Sequence, residues 1–335
     1  MSVSIGRRVG RFIGIAATAF VMLSVFAPSA SADGAGPTNY ESRIDSIKPT
    51  VKGVRIEVLG SEAFLQVSAE PGVRVQIPGY DGEPYLRIDA DGSVWQNRNS
   101  PAKYVNTSRS GRTTLPTDLG DGNDPKWEKV SDDGTVAWHD HRIHWMTNET
   151  PAADANGFVQ EWEVPITVDG TEVLVTGSLY RKGNALPWPA LVSIAAAAAI
   201  AIAVARSQIR FVSPVLIAVS VIALLQTLIM RAGDPPGSGT SPVPLILAVL
   251  ALGCALVSLI PKLGLPIVGL ATTLASAALL IGWLVPVIGV FWMPYVPLGL
   301  PAVVSRLLVA AVAGGALGSA IATVLDPDSV RPRAH

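Results

Sequence analysis

The amino-acid composition changes abruptly within one stretch, and this change determines the fold class. The stretch is Arg181-Lys182-Gly183-Asn184-Ala185-Leu186-Pro187-Trp188-Pro189-Ala190-Leu191-Val192. Before this stretch, polar and apolar residues alternate and charges are frequent; after it, long apolar runs follow one another. The average composition, 49% hydrophobic and 15% charged over 335 residues, therefore mixes two unlike halves. The boundary predicts a polar domain at 33–186, a membrane domain at 187–325 and a short tail at 326–335.

Five apolar runs follow the boundary, and each is long enough to cross about 30 Å of hydrocarbon as a helix. The predicted transmembrane spans are 188–205, 211–230, 243–260, 263–283 and 302–325. Most Lys and Arg residues of the connectors and tail fall on one side of a five-span bundle. This distribution predicts a multi-pass plasma-membrane protein with its polar domain outside and its C-terminus in the cytoplasm.

The membrane half contains little chemistry beyond apolar packing. No Asp, Glu, His or Lys stands in the middle of a predicted span, although ion-coupled transporters usually carry such groups. Gly314-Gly315-Ala316-Leu317-Gly318 permits close helix contact. The segment 283–301 is rich in aromatic residues and proline, which predicts an interfacial or re-entrant segment on the side of the polar domain. The sequence favours an anchor or assembly module in the lipid bilayer over a transporter.

The N-terminus has the pattern of a secretory signal peptide at 1–32. Arg7, Arg8 and Arg11 precede an apolar core at 12–26, and Ala30-Ser31-Ala32 is a small-x-small cleavage site. The alternative is an uncleaved first transmembrane helix, for which the apolar core is short. We expect cleavage before Asp33 and export of the polar domain.

The polar domain has the sequence pattern of β-structure. Apolar and polar residues alternate at 54–58 and 73–77, and Asp169-Gly170 stands between two further strand-like segments, as in a tight hairpin. The prediction is an antiparallel all-β sandwich, immunoglobulin-like or cupredoxin-like in outline, joined to an all-α bundle of about five helices. The only cysteine is Cys254, so no intramolecular disulfide can staple the domain. Residues 33–186 carry fifteen Lys and Arg against twenty-three Asp and Glu, a net charge of about −8 that disfavours nucleic acid as a partner.

Three of the four histidines lie within Trp138-His139-Asp140-His141-Arg142-Ile143-His144-Trp145-Met146. Imidazole is the commonest metal ligand in proteins, and a thioether two positions after the last histidine adds a soft donor. The turn at 132–134 predicts a hairpin whose second strand carries His139 and His141 on one face. His144 and Met146 have the other parity, so a bulge or turn near Arg142-Ile143 is needed to bring all four donors together.

Three hypotheses follow for these residues. In the first, His139, His141, His144 and Met146 bind a transition metal for buffering or handover, with copper preferred and zinc as the alternative. In the second, the domain is an interaction module for another envelope or membrane protein, with Tyr80, Tyr85 and Trp95 as contacts or as core. In the third, the histidines form a zinc hydrolase site, which needs a carboxylate base such as Asp140 or Glu149. The sequence favours binding over enzymatic activity; a packed aromatic corner with an Asp140–Arg142 ion pair and no metal is equally consistent with it.

Three motifs carry a resemblance to other proteins. They are Ile77-Pro78-Gly79-Tyr80-Asp81-Gly82-Glu83-Pro84-Tyr85-Leu86-Arg87, Asn99-Ser100-Pro101-Ala102 and the histidine stretch 138–146. Together they resemble a family of exported actinobacterial membrane proteins without an assigned function. The resemblance implies a signal peptide, a β-domain and a few membrane helices, and it implies no chemistry. The layout is also similar to copper-resistance proteins that join a secreted β-domain to membrane helices, but their histidines do not align with these residue by residue, and their membrane ligands are absent.

Overall fold

The computed structural model describes residues 35–109, 111–147, 149–207, 212–235, 241–260, 262–297 and 299–325. The predicted signal peptide at 1–32 and tail at 326–335 lie outside these residues. The described chain has an antiparallel β-sheet region followed by apolar helices, so the coarse division predicted from the sequence is confirmed.

The β region contains ten strands and one short helix. The strands are β1 Tyr40–Lys48, β2 Val54–Leu59, β3 Phe64–Ala69, β4 Val75–Pro78, β5 Pro84–Ile88, β6 Val94–Asn97, β7 Trp127–Ser131, β8 Thr135–Trp138, β9 Phe158–Val168 and β10 Thr171–Arg181. The helix, α1, covers Pro101–Val105, a segment without helical periodicity in its sequence. Its start fits Pro101 in the first turn, because proline there loses no helical hydrogen bond.

The strands form two antiparallel sheets that share one core. The larger sheet has the order β1-β10-β9-β4-β5-β6-β7, and the smaller has the order β2-β3-β8. Buried residues of both sheets contact one another in a single cluster, with Leu65 and Val136 from the small sheet and Val75, Ile88 and Val164 from the large one. Burial of these apolar side chains is the main force that holds the two sheets together.

The turn signal at Asp169-Gly170 predicted its hairpin correctly. β9 and β10 pair around Asp169 and Gly170, which have the positive φ values of 47° and 82° that a tight turn needs. β5 and β6 pair around the turn at 89–92. The predicted hairpin of β7 with β8 is wrong. β7 pairs with β6 in the large sheet, whereas β8 pairs with β3 in the small one, so the chain changes sheets at Asp132-Asp133-Gly134.

The second half of the chain is helical. Its helices are α2 Trp188–Ser207, α3 Val212–Gly233, α4 Val243–Val257, α5 Leu265–Ala277, α6 Leu284–Val287 and α7 Ala302–Leu325. A π-helical turn, Ala278–Trp283, joins α5 to α6, and a 3₁₀ turn, Ile288–Phe291, follows α6. The predicted helix contact at the glycines is confirmed, since a Cβ added at Gly314 would lie 2.7 Å from the Ser193 carbonyl oxygen of α2.

Three helical segments are long and apolar enough to cross a membrane by length and composition. They are Val212–Gly233, Pro266–Phe291 and Ala302–Val324. The described parts of two further apolar helices, Trp188–Ile200 and Val243–Val257, are shorter, so a count of five spans stays a prediction. Many large apolar side chains of these helices face outward, including Leu191, Ile194 and Val303, which fits contact with lipid.

The β region and the helices meet through the segment after the long helix Pro266–Phe291. Thr38 and Tyr295 exchange two backbone hydrogen bonds of 3.2 Å, and the Tyr295 hydroxyl donates to Glu41 Oε2 at 2.6 Å. The Ala185 N–H donates to the Trp292 carbonyl at 2.6 Å. The aromatic segment predicted at 283–301 therefore lies against the β region as expected, although helical structure continues to Phe291 and the predicted span end at Trp283 is eight residues early.

Candidate metal centre

The three clustered histidines lie in an irregular turn directly after β8, which ends at Trp138. The expectation that His139 and His141 extend a strand is therefore wrong. Asp140 forms the turn: its Oδ1 accepts the Arg142 backbone N–H at 2.9 Å, and its carbonyl accepts the Ile143 N–H at 3.2 Å. Ile143 is fully buried in the core between the two sheets and fixes the turn there.

This turn brings His139, His141 and His144, the histidine triad, to one point. Each imidazole offers a nitrogen that lies within 4.8 Å of those of the other two. The ring centroids of His139 and His144 are 4.2 Å apart, and that of His141 lies 5.1 Å from His144. All three side chains are buried, with His144 only 1% exposed. A turn near Arg142-Ile143, the arrangement that the sequence required for convergence, is thus what the structure contains.

Backbone carbonyls orient two of the rings. His139 Nδ1 lies 2.5 Å from the Ala63 carbonyl oxygen, and His141 Nε2 lies 2.8 Å from that of Ser108. A carbonyl can only accept, so each of these nitrogens carries the proton and the opposite nitrogen of each ring keeps its lone pair. Metal-binding histidines are commonly held in this way.

Three of the four remaining ring nitrogens are buried and lack protein partners. His139 Nε2 and both nitrogens of His144 are buried without a hydrogen bond to any described residue. Burying a polar nitrogen without a partner costs about 1–3 kcal/mol, so three such atoms side by side are unusual in a purely structural cluster. The arrangement fits a site whose missing partner is an ion or a polar ligand.

Burial keeps the triad neutral. Burial is the main cause that lowers the pKa of His139 to about 4 and that of His144 to about 2, and the charge of Arg109 contributes to both shifts. Burial also lowers the pKa of His141, against the opposing effect of its bond to the Ser108 carbonyl. Neutral imidazole is the form that binds metals, so all three rings are in the ligating state at physiological pH.

Met146 lies at the outer edge of the cluster and is 38% exposed. Its terminal methyl group approaches Gly111 on the same side as the His141 ring. A Cβ added at Gly111 would lie 3.2 Å from Met146 Cε and 2.9 Å from His141 Cε1. The predicted fourth donor is therefore a neighbour of the His141 ring, and its role as a ligand stays a prediction.

The predicted ion pair of Asp140 with Arg142 is confirmed. Arg142 Nε and Nη2 donate to the two carboxylate oxygens at 2.8 and 2.5 Å, and Trp138 Nε1 donates to Oδ2 at 2.7 Å. The Asp140 side chain is fully buried, and the Arg142 guanidinium lies over the Tyr80 ring. Four N–H groups of Arg142 and Trp138 thus bind the two oxygens of this carboxylate, so it is not available as a catalytic base.

A second buried carboxylate, Glu62, was not singled out from the sequence. It is 0% exposed and forms an ion pair with Arg109. Its Oε1 accepts the Thr38 hydroxyl at 2.6 Å, and its Oε2 accepts the Trp145 N–H at 3.3 Å. Nothing in the alternation of β2 and β3 indicates a buried acid in the loop between them, where Gly60 and Ser61 have positive φ values of 64° and 67°.

The motifs quoted from the sequence converge around the triad. The Tyr80 ring stacks on His141, and its hydroxyl accepts the His141 N–H at 3.0 Å and donates to Asn106. Asn106 donates to the Tyr85 hydroxyl at 3.2 Å, and Ser100 donates to buried Glu83 at 2.6 Å. Tyr85 is only 2% exposed, so its proposed role as a surface contact is wrong and its core alternative holds.

Comparison with known proteins yields no match to a protein-family model, a curated protein or a solved structure. The family resemblance of the motifs accordingly stays an expectation. The geometry of the triad is therefore the observation that indicates a function.

Proposed function

We propose that this chain is a membrane-anchored metal-binding protein whose histidine triad binds one Cu(I) ion for buffering or handover outside the cytoplasm. The observation that carries the proposal is the set of three buried imidazoles that each offer a nitrogen within 4.8 Å of the other two, with unsatisfied nitrogens on His139 and His144. A metal bound at about 2.0–2.1 Å by three nitrogens holds them about 3.4 Å apart, so coordination requires ring movements of about 1 Å.

The charge of the site favours copper in its monovalent state. The three imidazoles supply no negative charge, and the charge of Arg109, which acts on His139 and His144, is balanced by its ion pair with Glu62. The cost of burying an ion rises with the square of its charge, so a divalent ion pays about four times the desolvation cost of a monovalent ion of equal size. Nitrogen donors with a nearby thioether also suit Cu(I), and we propose Met146, which lies near His141, as the fourth donor. Zinc is the alternative metal.

Metal binding is favoured over zinc-dependent hydrolysis. A hydrolytic zinc site needs an accessible carboxylate that activates water. The carboxylate of Asp140 is held by Arg142 and Trp138, and that of Glu62 is held by Arg109 and Thr38. Both are fully buried, so neither is available to accept a proton from substrate water. Glu149, the other base considered from the sequence, is exposed but does not belong to the donor cluster of the triad.

The test is a metal titration of the purified full-length chain in detergent, prepared without a histidine tag. We expect one Cu(I) per chain in competition with a chromogenic Cu(I) chelator under reducing conditions, and weaker Zn²⁺ binding. His144→Ala should lower the Cu(I) affinity at least 100-fold, since outer-shell changes alone commonly cost 10–100-fold. His335→Ala removes the one histidine outside the triad and serves as the matched control. Equal affinity of the His144→Ala and His335→Ala chains would disprove the proposal.

The proposed orientation places the β region outside and the C-terminus in the cytoplasm. Three spans or five give the same result, because an odd number of crossings puts the two ends on opposite sides. A fluorescent protein fused after residue 335 should therefore be fluorescent, and an alkaline phosphatase fused there should be inactive. The reverse pattern would place the triad in the cytoplasm and contradict the export proposal.

A further inference from the structure

A cavity of about 730 Å³ lies where the β region meets the helices. The N-terminal segment 35–40 and the segment 181–184 form its β-region wall, and the ends of several helices form the other wall. Its volume falls in the range of pockets that hold small molecules. The triad itself is not part of the lining, although Arg109 and Trp145 next to it are.

The two walls differ in chemistry. The helical wall is largely apolar and includes Met230, Trp283 and Val287. Basic side chains also line the cavity: Arg109, Arg181 and Lys182 on the β-region side, and Arg231 in the last turn of α3. An apolar wall beside a basic one matches a molecule with an apolar part and an anionic group.

The basic charge is only partly neutralised by the protein. Arg109 forms an ion pair with Glu62, and Lys182 lies 3.9 Å from Glu41. Asp234 is the single carboxylate in the lining. Arg181 forms no ion pair with any residue that the structure describes, so it provides a positive charge for a ligand.

The position of the cavity along the helices indicates the type of ligand. Met230 lies in the last turn of α3, Pro244 in the first turn of α4, and Val287 near the end of the segment Pro266–Phe291. If these helices cross a bilayer, the cavity is at the depth of the lipid headgroups. Tryptophan and basic residues at this depth typically contact the headgroup region, and basic pockets between helices bind anionic headgroups.

We propose that this cavity binds an anionic phospholipid, with the phosphate near Arg181 and Lys182 and acyl carbon atoms against Met230 and Met293. The shared recognition chemistry is that of a phosphate group, which a free phosphate compound also offers. The apolar wall favours the lipid over the free anion, because an anion alone would leave the partly exposed Met230 and Met293 side chains uncovered. The proposal is independent of metal binding.

The experiment is native mass spectrometry of the full-length, metal-free chain in neutral detergent. Phosphatidylglycerol, phosphatidylcholine and glycerol 3-phosphate are added separately, and phosphatidylglycerol is then challenged with glycerol 3-phosphate. We expect at least tenfold higher occupancy by phosphatidylglycerol than by phosphatidylcholine, and no displacement by equimolar glycerol 3-phosphate. Equal occupancy by the two lipids, or displacement by glycerol 3-phosphate, would overturn the proposal.

Two variants locate the bound lipid. Arg181→Gln and Lys182→Gln should each reduce phosphatidylglycerol occupancy at least threefold. Arg55→Gln is the matched control, since Arg55 is 74% exposed on β2 and outside the cavity. Its occupancy should equal that of the wild type. If both cavity variants also behave like the wild type, the lipid binds elsewhere and the assignment is wrong; the lipid preference of the unmodified chain remains a test even where a variant folds poorly.

Discussion

The pH dependence of metal binding gives the sharpest test of the triad. An exposed imidazole with a pKa of about 6.5 competes for protons as the pH falls, so moving from pH 7 to pH 5 lowers its metal affinity about 25-fold. Three exposed histidines together would lose about 10⁴-fold, or roughly 6 kcal/mol. A surface histidine cluster, such as an affinity tag, should follow this steep curve.

The buried triad should behave differently. Burial lowers the pKa of His139 to about 4 and that of His144 to about 2, so both rings stay neutral at pH 5 and their contribution changes less than about twofold. The pKa of His141 is lowered as well, so it contributes less than the 25-fold of an exposed ring. We therefore expect the Cu(I) affinity of the chain to fall by less than about 50-fold between pH 7 and pH 5, and steeply only below about pH 4.

The assay is chelator competition at pH 7, 6, 5 and 4, with the chelator calibrated separately at each pH. A His144→Ala chain that carries a hexahistidine tag supplies the exposed-imidazole comparison in the same detergent. A fall of about 10⁴-fold for the untagged wild type between pH 7 and pH 5 would show that the rings are accessible and ordinary, and would refute the burial argument.

Three further predictions follow from the same geometry. Gly111→Ala should lower both stability and metal affinity, because Gly111 has a φ of +66° and the new Cβ would lie 2.9 Å from His141; Gly170→Ala, with a φ of +82° and open space around it, should cost stability alone, and thermal unfolding with Cu(I) titration separates the two effects. Asp140→Asn should destabilise the chain by about 3 kcal/mol, since it leaves the half-buried Arg142 without its charge partner; an unchanged melting temperature would contradict this. The metal-free chain should lose about 6 kcal/mol of stability as the pH falls from 6.5 to 4, because His139 and His144 each gain a proton in the unfolded state at about pH 6.5 but in the folded state only at about pH 4 and pH 2, respectively; a flat melting profile across this window would disprove it.

Local sequence signals predicted those parts of the fold that local physics controls. Asp169-Gly170 adopts the positive φ values that a tight turn requires, and the hairpin follows from the turn. The apolar runs after residue 187 form helices because a continuous apolar sequence buries or presents to lipid every face of a helix. Both predictions needed only neighbouring residues.

Pairing between distant strands could not be predicted in the same way. Asp132-Asp133-Gly134 has the composition of a hairpin turn, yet the Gly134 N–H donates to the Gly92 carbonyl at 2.9 Å. β8 then joins β3, some seventy residues earlier in the chain, because Val136 and Trp138 are buried against the shared core. The choice between two partner strands depends on the whole core, which local composition does not reveal.

The convergence of the triad has a local cause that was present in the sequence. Period-two alternation assigned His144 to the opposite face from His139, and that assignment assumed a continuing strand. Aspartate side chains accept the backbone N–H two residues later and so end strands in turns, as Asp140 does with Arg142. The carbonyl groups of Ala63 and Ser108, which orient the rings, had no such signal, because any residue provides a backbone carbonyl.

The histidine triad lies next to the wall of the cavity, so a movement at one site is transmitted to the other. Arg109 and Trp145 line the cavity, and Trp145 follows His144 directly in the chain. Glu62 binds both of them, through the Arg109 guanidinium and the Trp145 N–H. Coordination that draws His144 inward by about 1 Å therefore pulls on Trp145, whose backbone N–H is held by Glu62 and whose indole N–H is held by the Glu149 carbonyl. Because coupling between two sites is reciprocal, any change that an occupant of the cavity makes in metal affinity must equal the change that the metal makes in the affinity of that occupant.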